Sequence, residues 1–155
     1  MTGILYLFII ILLTCIDQYS KFVIIQNMDL GEKITVIDNF FSITHVRNYG
    51  AGFSILQNAT YFLSAVSILA IGILLYLLLH EKKLTIISKT AYLLIISGAL
   101  GNLIDRLLKT YVTDFLDFLI FGYDFPVFNI ADCFITVGCF LLIGELLWES
   151  RNAAD

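Results

Sequence analysis

The chain has 155 residues, of which 59 % are apolar and only 14 % are charged. An ordinary soluble domain is about 45–50 % apolar and about 25 % charged, so this composition excludes one. It also excludes a disordered chain, which needs low hydrophobicity and high charge. The net charge of −4 excludes a nucleic-acid-binding domain, whose surface is basic. A small integral membrane protein remains.

Four apolar stretches are long enough to cross a bilayer, which takes about 20 residues of helix. They cover residues 4–25, 61–79, 88–108 and 130–148. The connections between them comprise residues 26–60, 80–87 and 109–129. None of these connections reaches the usual size of a soluble domain. We therefore expect a single membrane domain over residues 1–155, with any chemistry within or close to the spans.

The distribution of basic residues predicts the orientation of the spans. Residues 80–89 contain three lysines and one acid, which is typical of a cytoplasmic loop. Residues 26–60 carry two basic and three acidic side chains, so we expect this connection on the outer side. With four spans, both termini are then predicted to be cytoplasmic.

The two outer connections differ in their predicted structure. Residues 33–37 and 41–46 are rich in β-branched and aromatic side chains and flank Asp38 and Asn39, which predicts a β-hairpin. Residues 109–129 contain seven aromatic side chains, and we expect a loop that dips into the membrane interface. The predicted fold class is an all-α integral membrane protein. It has four transmembrane helices, a small outer β-hairpin or platform between helices 1 and 2, and an interfacial loop between helices 3 and 4.

The cysteines predict neither a disulfide framework nor a metal site. Cys15, Cys133 and Cys139 all fall in predicted spans, and they form no CxxC motif. None of them has a metal-ligand spacing with His45 or His80. We therefore expect no bound metal and no cofactor.

Ionisable side chains are costly within a membrane span, so each one is a candidate functional residue. Asp17 and Lys21 in the first span are four residues apart and lie on one helix face. An ion pair between them would cancel most of their cost. We interpret this pair as a structural tether for the outer half of the bundle.

A second polar cluster occupies the outer half of the third span. Gly98 and Gly101 permit close approach of a neighbouring helix. Asn102, Asp105 and Arg106 are three and four positions apart, so we expect them on one face in a single hydrogen-bonded network. The spacing leaves open whether that network is structural or functional.

Two further acids are predicted at the same end of the bundle. Asp114 follows the third span, and Asp132 lies in the first turn of the fourth, where Asn129 is placed to cap the helix. Two facing carboxyl groups in a partly dry site would share one proton, which is the arrangement of an aspartic protease. The alternative is a solvated loop acid at Asp114 and, at Asp132, an acid that only complements the helix dipole.

Five segments together resemble lipoprotein signal peptidase, also called signal peptidase II, a bacterial aspartic membrane protease family. Residues 17–21 (DQYSK) resemble the family's DQxxK, and residues 48–54 (NYGAGFS) resemble its NxGAAF/W segment. Residues 98–106 (GALGNLIDR), 112–115 (VTDF) and 128–132 (FNIAD) resemble GALGNxxDR, VVDF and FNxAD. The chain departs from the family at Gly52, usually Ala, and at Thr113, often Val. Neither change removes a polar group from the proposed centre.

The resemblance implies that Asp114 and Asp132 are the catalytic dyad. It implies that four residues support and orient the site and the substrate, namely Asn102, Asp105, Arg106 and Asn129. Asn48 and Gly50 would contribute from the hairpin region. Arg106 would either bind Asp105 or contact substrate carbonyls.

The resemblance also implies a substrate and a location. The substrate would be a prolipoprotein that carries diacylglycerol on its cysteine, cut on the amino side of that cysteine. The enzyme would be a monomer in the bacterial cell membrane, in contact with membrane lipids, with its active site toward the outer face. Cyclic lipopeptides of the globomycin type would inhibit it.

Two other function classes compete with this interpretation. A small transporter or carrier subunit could use Asp17, Asp105 and Asp132 as an ion or proton relay. It would need acids spread through the membrane depth, whereas those in this sequence lie toward one face. A purely structural partner in a larger complex would leave the outer polar cluster unexplained.

Overall fold

The computed structural model describes residues 2–50 and 59–152. That part of the chain forms four helices, with one pair of strands between α1 and α2 and a second pair between α3 and α4. The helices are α1 (Thr2–Asn27), α2 (Thr60–His80), α3 (Ile86–Lys109) and α4 (Ile130–Asn152). The strands are β1 (Lys33–Ile37), β2 (Phe41–Asn48), β3 (Val112–Ile120) and β4 (Tyr123–Asp124).

All four expected helices are present, and each is long and apolar enough to cross a membrane. They extend beyond the expected spans by up to four residues at an end, and the largest extension is the polar segment 149–152 of α4, which continues the backbone hydrogen bonding. In α2 and in α4 alike, only 11 % of the residues of the helix's most apolar segment are buried. Their exposed leucine, isoleucine and phenylalanine side chains form the kind of surface that lipid tails cover.

Helix α3 is the centre of the bundle, since it contacts the other three helices and has 56 % of its most apolar segment buried. Small residues make the contact with α4 close. A Cβ atom on Gly98 would lie 2.8 Å from Cγ1 of Ile135, and one on Gly138 would lie 2.6 Å from Cγ1 of Ile95. The close approach expected at Gly98 is therefore present, and α4 contributes a second glycine to it.

The hairpin expected between helices 1 and 2 is present. Strands β1 and β2 pair antiparallel, with Lys33 opposite Thr44, and the turn between them places Asn39 at a φ of 56°. Asparagine tolerates this left-handed conformation better than most residues do. The local sequence therefore predicts both the strand pair and its turn.

The interfacial loop expected over residues 109–129 is wrong in part, because much of this segment is strand. Strand β3 pairs antiparallel with β2, with Asn48 opposite Val112 and Phe41 opposite Phe118, and β4 pairs with β3. The result is a four-stranded sheet in the order β1-β2-β3-β4, so the chain is not all-α. The first four residues of β3 are all buried, so its sequence lacks the alternation that identifies a half-buried strand.

The sheet packs against one end of the bundle, which we call the sheet end. Its contact is a small apolar core of Ile24 from α1, Met28 just after that helix and Phe115 from β3, with Ile130 of α4 packed against it. This core holds β3 beside the first turn of α4.

We predict that Gly98→Ala lowers the stability of the folded protein. The new methyl group would meet the backbone carbonyl of Ala131 and the side chain of Ile135, and backbone cannot give way cheaply. Overpacking of this kind costs about 1–3 kcal/mol. Thermal unfolding in detergent measures the effect.

Gly72→Ala is the matched control, because its Cβ would meet no described atom within 4 Å. Alanine favours helix over glycine, so this variant should unfold at or slightly above the wild-type temperature. Equal unfolding temperatures for the two variants would show that α3 and α4 are not in close contact at Gly98.

Candidate active site

The chain brings Asp114 close to the start of α4 through backbone hydrogen bonds. Helix α3 ends at Lys109, and its C-cap residue Thr110, with a left-handed φ of 69°, turns the chain into β3. Further along β3, the N–H groups of Phe115 and Leu116 donate to the carbonyl oxygen of Phe128 at 3.0 and 2.8 Å. The segment before α4 is thereby fixed alongside β3, and Asn129 lies next to Asp114.

Asn129 caps α4, as expected, and the cap involves Asp132. The backbone N–H of Asp132 donates to Oδ1 of Asn129 at 3.1 Å, and the backbone N–H of Asn129 donates to Oδ2 of Asp132 at 3.2 Å. This reciprocal pair is a capping box. It fixes the side chains of both residues relative to the first turn of α4.

Three side-chain amides hold the two carboxyl groups. Nδ2 of Asn129 donates to Oδ1 of Asp114 at 2.6 Å, and Nδ2 of Asn48 donates to Oδ2 of Asp114 at 2.9 Å. Nδ2 of Asn102 donates to Oδ1 of Asp132 at 2.8 Å. Nδ2 of Asn129 also donates to Oδ1 of Asn102 at 3.2 Å, which joins the two halves. We call these five side chains the dyad network.

Both acids of the dyad network line a cavity of about 460 Å³. Asparagine and arginine side chains line it with them, and most of the other lining side chains are apolar. The lining residues are Asn48, Asn102, Arg106, Val112, Asp114, Phe125, Pro126, Val127, Phe128, Asp132, Cys133, Ile135, Thr136 and Val137. A mostly apolar cavity with a few convergent polar groups is the usual form of a ligand site.

Burial raises the pKa of Asp114 from its ordinary value of 3.8 to about 7. The side chain is only 2 % exposed, so the carboxylate loses most of its hydration, and the charge of Asp132 acts in the same direction. The hydrogen bonds from Asn48 and Asn129 oppose the shift only partly. At neutral pH the Asp114 carboxyl can therefore hold a proton.

Asp17 and Lys21 lie behind the dyad network rather than in the cavity. Nζ of Lys21 is 2.9 Å from Oδ2 of Asp17 and 3.5 Å from Oδ2 of Asp105, and none of the three side chains is exposed. Oδ1 of Asp17 accepts from the backbone N–H of Ala131 at 2.9 Å. Nζ of Lys21 donates to Oδ1 of Asn102 at 2.9 Å. The pair thus contacts the site as well as joining helices.

The single network expected for Asn102, Asp105 and Arg106 divides in two. Asp105 pairs with Lys21 and with Lys109, the latter at 3.0 Å, and accepts from the backbone N–H of Thr113 at 3.0 Å. Nη2 of Arg106 instead donates to the carbonyl oxygen of Gly50 at 3.2 Å. Adjacent residues on a helix point about 100° apart, so these two face different neighbours.

Gly50 also completes a local turn, because its backbone N–H donates to Oδ1 of Asn48 at 2.9 Å. The remainder of the NYGAGFS segment, including Gly52, lies in residues 51–58, outside the described part of the chain. One of the two expected roles of Arg106 was to pair with Asp105. In the structure the two side chains do not pair, since each contacts other partners.

Two polar side chains near the site had no predicted role. Nε2 of Gln18 donates to the carbonyl oxygen of Gly101 at 3.0 Å and to Oδ1 of Asp105 at 3.3 Å. Lys109 provides the second cation for Asp105. Gln18 had a signal in the sequence, since it is a polar residue within the first apolar span, and Lys109 directly follows the third span, four residues after Asp105. Within residues 2–50 and 59–152, no three His, Cys, Asp or Glu side chains are grouped so as to hold a metal ion.

Known proteins with the same organisation identify the family. A family model described as signal peptidase II matches residues 9–148. A lipoprotein signal peptidase of Streptococcus pyogenes is 43 % identical, with 97 % of each chain covered. One from Fusobacterium nucleatum is 40 % identical, covering 96 % of this chain and 89 % of the relative.

Two solved bacterial membrane enzymes have the same fold. One, determined by the in meso method at 2.3 Å resolution, superposes with a TM-score of 0.89 at 38 % identity, covering 95 % of this chain and 90 % of the other. The second, at 1.9 Å resolution, gives a TM-score of 0.82 at 39 % identity, with 92 % of each chain covered. From the family model, the relatives and the shared fold, we conclude that this bacterial membrane protein belongs to the signal peptidase II family.

Proposed function

We propose that this protein is an aspartic endopeptidase that removes the signal peptide from diacylglyceryl-modified prolipoproteins, cutting on the amino side of the lipidated cysteine. One observation carries the proposal. Asp114 and Asp132 line one cavity, and amide groups hold both carboxyl groups in place. The signal peptidase II family supplies the class of substrate.

In the proposed mechanism the two acids begin with one shared proton. Asp132 is the ionised member, since it lies in the first turn of α4, where the helix dipole favours an anion. Asp114 is the protonated member, in keeping with its pKa of about 7. Asp132 takes a proton from a water molecule, whose oxygen attacks the scissile carbonyl carbon. Asp114 gives its proton to the carbonyl oxygen, which forms a neutral tetrahedral diol.

The second half of the reaction restores the dyad. Asp132, now protonated, gives its proton to the leaving amide nitrogen as the C–N bond breaks. Asp114, now ionised, takes a proton from a diol hydroxyl as the new carboxyl group forms. The products are a free carboxyl on the signal peptide and a free amine on the lipidated cysteine. Asn102 and Asn129 keep both carboxyl groups in place throughout.

The position of the cavity suits a lipid-anchored substrate. It lies at the sheet end, where α3 ends and α4 begins, close to the depth at which helices leave the hydrocarbon. A diacylglyceryl cysteine is anchored at that depth. The lysine-rich connection between α2 and α3 lies at the opposite end, which favours a cytoplasmic position for it and for both termini, and an outer position for the site.

Further expectations follow from the same cavity. Its apolar walls offer a binding surface for the signal peptide and for acyl chains of the substrate or of membrane lipids. A cyclic lipopeptide of the globomycin type would compete for this space. Because one chain supplies both acids, we propose that a monomer is active.

The transporter alternative is less well supported by the geometry. Asp17, Asp105 and Asp132 all belong to one cluster around the first turn of α4 and the end of α3. Helix α2 contains no Asp, Glu, Lys or Arg. A proton relay needs acids at successive depths, which this arrangement does not supply.

We predict that Asp114→Asn and Asp132→Asn each lower kcat by about 10³-fold, because each removes one proton-transfer group. The measurement is cleavage of a purified diacylglyceryl-modified precursor by folded protein. Asp117→Asn is the matched control, since Asp117 lies on the same strand but pairs with Lys33 at 2.7 Å outside the cavity. Near-normal cleavage by either dyad variant would refute the assignment.

We also predict that kcat/KM falls as pH rises through about 7. Protonated Asp114 is the required form, and it dominates below its pKa of about 7 and is lost above it. The descending limb should therefore have an apparent pKa near that value, measured on the same precursor in a constant detergent. A kcat/KM that stays level from about pH 6 to about pH 9 would contradict a shared proton.

A further inference from the structure

Lys21 has no role in the proposed chemistry, yet its ammonium lies beside the residues that do. It is fully buried and does not line the cavity. Its Nζ atom contacts Asp17 at 2.9 Å, Asp105 at 3.5 Å and Oδ1 of Asn102 at 2.9 Å. A lysine that served only to neutralise Asp17 would not need the contact with Asn102.

The contact with Asn102 determines which way round that amide lies. An ammonium group has donors and no acceptor, so Asn102 must present its oxygen to Lys21. Its NH₂ group then points to Oδ1 of Asp132, to which it donates at 2.8 Å. A reversed amide would place NH₂ against the ammonium and an oxygen against the carboxylate, which leaves buried groups unpaired.

A second donor reinforces the same orientation. Nδ2 of Asn129 donates to the same oxygen of Asn102 at 3.2 Å. Asn129 cannot reverse either, because its own oxygen accepts the backbone N–H of Asp132 at 3.1 Å. Lys21 is therefore at the beginning of a chain of hydrogen bonds that ends on both catalytic carboxyl groups.

We infer that Lys21 is a positioning residue for the catalytic dyad, acting through the side-chain amide of Asn102 to hold Asp132 in its reactive orientation. This inference rests on the proposed function, because it concerns the same two acids. A purely structural ion pair would instead affect folding and leave turnover by each folded molecule unchanged.

The charge of Lys21 has a second, separable effect on Asp114. It lowers the pKa of that carboxyl, against the larger effect of burial. The other charged groups around Lys21 and the dyad come from three helices, and they are Asp17 on α1, Asp105, Arg106 and Lys109 on α3, and Asp132 on α4. All of these remain when Lys21 is replaced by methionine. Its loss should therefore raise the pKa of Asp114 and move the descending limb of the pH profile to higher pH.

The test is a double-mutant cycle on Lys21→Met and Asn102→Ala, with kcat measured well below the descending limb. We expect Lys21→Met to lower kcat by about 10- to 100-fold, with KM within about twofold of wild type, since Lys21 does not line the cavity. The double variant should be no slower than Asn102→Ala, because both changes remove the same hydrogen bond to Asp132. The descending limb of the pH profile of Lys21→Met should move to higher pH by about half a pH unit or more.

Lys109→Met is the matched control. Lys109 also pairs with Asp105, at 3.0 Å, and Asn102 is not among its contacts. Lys109→Met should have the descending limb of its pH profile at the wild-type position. Its effect on kcat should show no coupling with that of Asn102→Ala. If Lys21→Met does not fold, the double variant Asp17→Asn/Lys21→Met replaces it in the test, because it removes both members of the ion pair. Its kcat should fall by the factor expected for Lys21→Met.

The outcomes separate this inference from the proposed function. Wild-type protein that fails to cleave the lipidated precursor refutes the proposed function. Wild-type cleavage together with an unchanged kcat and pH profile in Lys21→Met, or with fully additive losses in the cycle, refutes only the role of Lys21.

Discussion

The side chain of Asn129 is the constraint on which the rest of the site depends. It is fully buried at the point where α4 begins, and it bonds the backbone of Asp132, the carboxyl of Asp114 and the amide of Asn102. One residue thus joins α4, β3 and α3. The two acids are 18 positions apart in the chain, and this amide is the short connection that fixes one relative to the other.

Charge balance explains why the surrounding cluster contains so many ionisable groups. Asp17 and Asp105 are buried and pair with Lys21, which is also buried, and with Lys109, which is partly exposed, so two negative charges are matched by two positive ones. A dyad that holds one proton carries a single negative charge, and Arg106 on the cavity wall carries a single positive one. Buried charges are tolerated when they are paired and hydrogen-bonded, which holds for this cluster. A doubly ionised dyad would break the balance, in keeping with the raised pKa of Asp114.

Local patterns predicted the parts of the fold that depend on local interactions. The four helices follow from apolar length, the hairpin from its strand residues and its Asp38-Asn39 turn, and the cap of α4 from Asn129 and Asp132. The sequence of β3 predicts a loop instead, because its pairing partner is remote in sequence and its buried residues do not alternate.

The site was predictable to a similar extent. Residue types indicated which polar groups are costly in a membrane, and hence which of them need a partner. Helical spacing suggested that Asp105 and Arg106 share a network. Their actual partners, Lys109 for one and the carbonyl of Gly50 for the other, depend on how α3 meets β3 and the end of β2. The contact of Lys21 with Asn102 likewise requires the packing of α1 on α3, which spacing within one helix cannot reveal.

Infrared spectroscopy of the resting protein tests most directly whether Asp114 and Asp132 share one proton. The wild type should show the carbonyl stretch of a protonated carboxyl group at about pH 6, and this band should disappear as the pH rises through about 7. The band should be absent from folded Asp114→Asn protein. A wild-type spectrum without a protonated carboxyl at about pH 6, or a band that persists unchanged in Asp114→Asn, would contradict the account.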